Sequence, residues 1–117
     1  STAASGPLVI TVPVIDGFHA TPLDLTLRSA GLTHLLVAGH GIEGAVHSTL
    51  RSANDRGYEC LLVTDACSSL SDELTEASAK TVTMSGGIFG AIGTTGPVLD
   101  ALAGLLDPTR SVIAQEA

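Results

Sequence analysis

Residues 33–64, THLLVAGHGIEGAVHSTLRSANDRGYECLLVT, hold two apolar runs separated by a glycine-rich turn and a mixed polar segment. Both runs, residues 33–38 and 58–64, have the length and composition of buried strands. Residues 45–56 between them predict a helix that ends at Gly57. Strand, helix and second buried strand form a βαβ unit, which predicts a parallel sheet covered by helices.

The same alternation continues on both sides of this unit. Upstream, residues 7–14 (PLVITVPV) predict another strand with two apolar faces, and Thr21, Pro22 and Asp24 predict the start of a helix that ends at Gly31. Downstream, the pattern predicts further elements: a helix at 71–84, a short strand at 87–92 and a helix at 97–106. The sequence therefore predicts an α/β fold with three layers, helix–sheet–helix (αβα), in which the sheet has four parallel strands.

The domain is predicted to occupy residues 8–106. Residues 1–7 are interpreted as a flexible amino end or a processing site, and residues 107–117 as a polar tail. Ser1 in place of methionine is compatible with methionine excision, tag removal or cleavage of a precursor.

Composition excludes several classes of function. The 117 residues are 44% hydrophobic and carry a formal net charge of −7, with five scattered basic residues. This charge argues against binding to nucleic acid or to an anionic membrane, and no apolar run is long enough to span a bilayer. We expect a cytoplasmic protein whose two cysteines, Cys60 and Cys67, are reduced thiols.

Three quoted segments carry a resemblance to a known family. They are GFHATPLDLTLRSAGLTHLLVAG (17–39), HGIEGAVHSTLRSANDRGYECLLVTDAC (40–67) and MSGGIFGAI (84–92). In order and spacing they resemble the isochorismatase-like hydrolase superfamily, which includes isochorismatases, nicotinamidases, N-carbamoyl amidohydrolases and ureidoacrylate amidohydrolases. The resemblance runs from about Leu8 to Leu106 and implies the carboxyl-terminal half of such a domain, incomplete in this chain.

The resemblance also implies which catalytic side chains are missing. The family pattern G-V-T-T-D-V-C-V-H-S-T, placed on residues 39–49, puts the nucleophilic cysteine at Ala45. The family lysine falls on Val12, and the first-strand aspartate has no counterpart. Isochorismatases proper also lack the cysteine, so Ala45 alone fits that branch, whereas loss of the lysine does not. Neither alanine nor valine can serve as nucleophile or ammonium group.

By the same resemblance, four residues are expected to bind substrate. Backbone N–H groups of Gly41 and Ala45 would form an oxyanion cradle beside a cis peptide between His40 and Gly41. Phe18 and Ile42 would line the substrate pocket.

Two further residues are low-ranking catalytic candidates on chemical grounds, because both follow predicted strands at the carboxyl edge of the sheet. Asp16 is interpreted either as a displaced general acid or, more simply, as a solvated turn carboxylate. His40 is the histidine best placed for a rearranged site. His19, His40 and His47 do not show metal-ligand spacing, and residues 39–44 lack a nucleotide-binding pattern, so no metal or cofactor is expected.

Four strands would leave the strand at 33–38 with unpaired backbone, which is an association surface. We therefore expect a partner chain that completes the sheet in an oligomer. Three functions remain open: a hydrolase subunit for amide or other C–N bonds whose catalytic residues lie on the partner, a non-catalytic structural or regulatory subunit, and a rearranged site using Asp16 or His40.

Overall fold

A computed structural model describes residues 7–105 of the protein. Its elements, in chain order, are α1 (Leu23–Ser29), β1 (His34–His40), α2 (Ala45–Asp55), β2 (Glu59–Ser68), α3 (Asp72–Gly87), β3 (Ala91–Gly93) and α4 (Thr95–Leu105). The sequence predictions for residues 1–6 and 106–117 lie outside the described residues.

The three strands form one parallel sheet in the order β1-β2-β3, flanked by helices. In the register, Leu35 faces Cys60 and Val37 faces Leu62, so these four side chains share one face of the sheet. On that face they join a core that α2 and α3 complete. The opposite face is covered by α4, whose Val98 lies with Leu61 around Gly93. The predicted αβα layering is confirmed.

β2 occupies the centre of the sheet and is irregular. The pairing with β1 shifts between Val37 and Gly39, whose partners are Leu62 and Cys67. Extra residues of β2 therefore bulge out of the ladder with β1, and Val63 there pairs with Gly93 of β3. The bulge lets β2 continue to Ser68, beyond the predicted strand end at residue 64.

β1 lies at an edge of this sheet. The Thr33 carbonyl accepts a hydrogen bond of 2.9 Å from Glu59 N, so backbone groups of odd-numbered β1 residues point toward β2. Those of the even-numbered residues, His34, Leu36 and Ala38, point the other way. Among residues 7–105, no backbone group pairs with them.

Two sequence predictions about strands were wrong. Residues 7–14 are not a strand but irregular backbone, so the described sheet has three strands instead of four. The apolar pattern was correct for a strand, but a strand also requires hydrogen bonds with a neighbour, and residues 7–14 form no ladder with β1 or with any other described strand. The predicted strand at 87–92 is shorter, because residues up to Gly87 belong to α3.

The predicted helices are confirmed with shifted ends. The hydroxyl of Thr21 accepts a 3.3 Å hydrogen bond from Leu23 N at the start of α1. α3 contains a break, because Ser85 and Gly86 have φ of 53° and 76°. This break turns the chain toward β3.

Candidate active site

The glycine-rich turn after β1 is tied to the end of β2. The N–H groups of Gly41 and Ile42 both donate to the Ser68 carbonyl, at 2.8 and 3.0 Å. Gly41 has φ of +88°, a left-handed conformation that favours glycine. The predicted cis peptide between His40 and Gly41 is wrong, since no cis bond occurs within residues 7–105. A left-handed glycine reverses the chain here without one.

Ala45, which the resemblance aligns with the family cysteine, is the first residue of α2 and is exposed. Its N–H has no hydrogen-bond acceptor within the described part of the chain, and it lies at the positive end of the helix dipole. The other predicted cradle donor, Gly41 N–H, is occupied by Ser68. One of the two expected donors is thus available.

Phe18 and Ile42 lie in the hydrophobic core. Phe18 stacks on Tyr58 with ring centroids 5.8 Å apart, and the Arg56 guanidinium lies 4.9 Å from its ring centroid. Ile42 is fully buried. In this arrangement both side chains stabilise the turns that precede α1 and α2.

Asp16 is held by two hydrogen bonds. One carboxylate oxygen accepts from Phe18 N and the other from the Ser52 hydroxyl of α2, each at 2.9 Å. The adjacent Gly17 N donates to the Thr49 hydroxyl, also at 2.9 Å. The geometry gives Asp16 the role of fastening the amino-terminal segment to α2.

His40 lies at the end of β1 directly opposite Ser68 at the end of β2. Its Nδ1 is 2.6 Å from the Ser68 hydroxyl oxygen, and both side chains are exposed. The neighbouring Cys67 thiol donates to the Val63 carbonyl at 3.3 Å, and burial raises its pKa. At this edge, Ser68 is therefore the nucleophile candidate with a base beside it, and Cys67 is a protonated thiol.

Two carboxylates on the same edge brace loops. One Asp65 oxygen accepts from both Thr95 N and the Thr95 hydroxyl, at 2.8 and 2.7 Å, and these bonds lower the pKa of Asp65. Glu43 accepts a 3.3 Å hydrogen bond from Leu70 N.

His47 belongs to the contact between α2 and the segment after α3. It is 9% exposed, its Nδ1 accepts from Arg51 Nε at 3.0 Å, and its ring meets the edge of Phe89. Burial, followed by the Arg51 charge, lowers the pKa of His47. Across residues 7–105, no group of three His, Cys, Asp or Glu side chains is arranged to hold a metal ion.

An apolar cleft of about 700 Å³ opens beside the free edge of β1. One wall is the irregular amino-terminal segment, and the others come from α1, β1 and the start of α2. Of the residues singled out in the sequence, Val12, His40 and Ala45 line it. The cleft thus runs from β1 to the amino terminus of α2.

Sequence reasoning missed Ser68 and the cleft. The predicted second strand ends at residue 64, so Ser68 was assigned to the turn after it. No pattern in LLVTDACS predicts the bulge that extends β2 by four residues. The register that sets Ser68 opposite His40 depends on that bulge. A polar residue at the end of each of two neighbouring parallel strands was the available signal.

Parallel strands, the crossover helices α2 and α3, and a glycine turn that leads into a helix at the carboxyl edge define a parallel αβα architecture. The particular family is shown by comparison: a model of the isochorismatase domain matches residues 2–95. The chain belongs to the isochorismatase domain family.

Individual relatives agree with this assignment. The chain is 36% identical over 75 residues to the uncharacterized isochorismatase family protein YwoC of Bacillus subtilis, covering 64% of this chain and 40% of that protein. It is 40% identical over 65 residues to the ureidoacrylate amidohydrolase RutB of Methylobacterium radiotolerans, covering 56% of this chain and 25% of the relative. The matched part is therefore less than half of either relative.

Solved structures give the same fold. An isochorismatase family protein from Desulfovibrio vulgaris superimposes with a TM-score of 0.76 at 27% identity, covering 87% of this chain and 52% of that one. A cysteine hydrolase from Pseudomonas syringae has a TM-score of 0.78 at 21% identity, covering 88% and 52%. Separately, no helix within residues 7–105 has the length and apolar character needed to cross a membrane.

Proposed function

We propose that this chain is one subunit, or one processed chain, of an isochorismatase-like hydrolase for amide or other C–N bonds. In this proposal, polypeptide outside the described residues adds strands to β1 and supplies the catalytic side chains. The observation that carries the proposal is the unpaired edge of β1 beside an apolar cleft. Similarity to a ureidoacrylate amidohydrolase supports the reaction class.

The energetics of the edge support an added strand. Three alternate residues of β1 present N–H and C=O groups with no backbone partner among residues 7–105. They are His34, Leu36 and Ala38. A flat strand edge next to exposed aliphatic side chains favours pairing with another chain. The amino-terminal segment contributes such side chains, with Val9 84% and Ile15 63% exposed.

The side chains at the site support the proposal that another chain supplies the catalytic groups. Ala45 lies where a nucleophile would benefit from the amino terminus of α2, but its methyl group cannot attack a carbonyl. Val12 lines the same cleft and carries no charge. A partner would therefore have to bring nucleophile and acid–base groups into a cleft that this chain helps to shape.

Native mass spectrometry of the assembly purified from its source tests the proposal. We expect a stoichiometric second chain, and a ten-fold or greater loss of its affinity in Leu36→Pro, which removes an outward N–H without removing a β1–β2 hydrogen bond. Leu36→Val, which keeps that N–H, is the matched control and should retain the partner. A single 117-residue species that unfolds cooperatively would overturn the proposal.

The second candidate, a non-catalytic structural or regulatory subunit, is favoured by Ala45 and by the engagement of Gly41 N–H with Ser68. The partner's sequence discriminates between the two. A cysteine and a lysine at the family positions, together with hydrolysis by the assembly, favour the enzyme subunit. A partner without them, in an assembly without turnover, favours the structural subunit.

A further inference from the structure

We infer that Ser68 and His40 form a nucleophile–base pair that hydrolyses esters of short aliphatic acids, beyond the C–N chemistry proposed for the family site. Their strands end side by side at the carboxyl edge, where reactive groups of parallel α/β sheets gather. The 2.6 Å separation between Ser68 Oγ and His40 Nδ1 is a direct hydrogen bond, as proton transfer between them requires.

The backbone holds this pair in place. The Ser68 carbonyl accepts from both Gly41 N and Ile42 N, so the end of β2 is fixed to the turn that directly follows His40. The two residues are also Cα partners in the ladder between β1 and β2. The hydroxyl and the imidazole are thus presented by two paired strands, and both side chains are accessible to a substrate.

A stabilising donor for a developing oxyanion lies at the same end of the sheet. The N–H of Ala45 has no acceptor among residues 7–105 and stands at the positive end of the 11-residue helix α2. Ala45 and His40 both line the apolar cleft. Ser68 is not one of the residues that line the cleft, and its hydroxyl meets the cleft through the hydrogen bond with His40. Aliphatic lining residues, including Val12 and Val37, suit an aliphatic acyl group.

The reaction balances without a cofactor. Ser68 Oγ attacks the ester carbonyl carbon while its proton passes to His40 Nδ1. The C–O bond to the alcohol then breaks, and His40 returns the proton to the departing alkoxide. A water molecule, deprotonated by His40, attacks the acyl-serine and releases the acid and the free Ser68 hydroxyl.

An alkyl fluorophosphonate tests the pair in the full chain, purified with any partner that it retains. We expect peptide mass spectrometry to find the phosphonyl group on Ser68, with fluoride displaced, and p-nitrophenyl butyrate to be cleaved faster than the acetate. Removal of a general base typically costs about 10²–10⁴-fold, so His40→Gln should slow labelling by at least about 10²-fold. Ser68→Ala should abolish it.

Ser69→Ala is the matched control, because Ser69 adjoins the pair but its hydroxyl donates to the Ser71 carbonyl instead of a histidine. This variant should be labelled at Ser68 at the wild-type rate. Absence of label on Ser68 in the wild-type protein, or a labelling rate unchanged in His40→Gln, would overturn the inference. Neither result depends on whether a partner completes the sheet.

Discussion

Residues 35–38 (LLVA) and 8–12 (LVITV) are similar apolar runs with different structures. The first lies in β1, paired with β2, and its Leu35 and Val37 are 4% and 2% exposed. The second is irregular and exposed, with Val9 at 84%. Strand-forming composition is thus insufficient: residues 35–38 form a hydrogen-bonded ladder with β2, whereas residues 8–12 form no ladder and stay irregular.

The contrast predicts that truncating a side chain lowers the free energy of unfolding much more in β2 than in the amino-terminal segment. Leu62→Ala, at 1% exposure in β2, should lower the free energy of unfolding by about 2–5 kcal/mol because it opens a cavity in the core. Ile15→Ala, on the amino-terminal segment, should change it by about 0.5 kcal/mol or less in the isolated chain. Urea denaturation measures both. Equal losses would show that the segment is as firmly packed as β2.

Gly90, directly before β3, should not tolerate a side chain. An alanine Cβ there would lie 2.4 Å from the Cys60 carbonyl oxygen, and the φ of +138° disfavours any side chain. We expect Gly90→Ala to cost about 3 kcal/mol or more, from overpacking together with backbone strain.

Gly104→Ala in α4 is the control for that substitution. No atom lies within 4 Å of its added Cβ, so the higher helix propensity of alanine should stabilise by about 0.5–1 kcal/mol. Thermal unfolding of the two variants gives the comparison. A small effect of Gly90→Ala would mean that β3 is held less closely against β2 than described.

Acid should lower the free energy of unfolding because it protonates His47. Since the folded protein lowers the pKa of His47, the unfolded chain binds its proton more readily. The free energy of unfolding should therefore fall as the pH drops below the ordinary histidine value of about 6.5. His47→Gln should flatten this slope between pH 7 and 5. An unaltered slope in His47→Gln would contradict this assignment.

The sequence predicts the helices and the strands β1 and β2 well because their patterns are local. Caps and glycine stops marked α1 and α2, and the apolar runs of β1 and β2 were bounded by turns. The amino-terminal strand was wrong because residues 7–14 form no hydrogen-bonded ladder within residues 7–105. No local pattern reports whether a neighbour is present.

The candidate site was predictable only in part. The position of Ala45 at the start of α2 followed from the predicted helix at residues 45–56. The burial of Phe18 against Tyr58 and the pairing of Ser68 with His40 did not, because both arise from register and tertiary packing. A three-residue difference in the β1–β2 register decides which side chains meet at the edge.

Residue-resolved amide hydrogen exchange on β1 tests most directly whether outside polypeptide completes the sheet. Leu35 and Val37 amides, which face β2, should be protected in the isolated chain and in the purified assembly. Leu36 and Ala38 amides, which face the open edge, should exchange quickly in the isolated chain and slowly in the assembly. Fast exchange of Leu36 and Ala38 in both, or protection of both in the isolated monomer, would contradict the account.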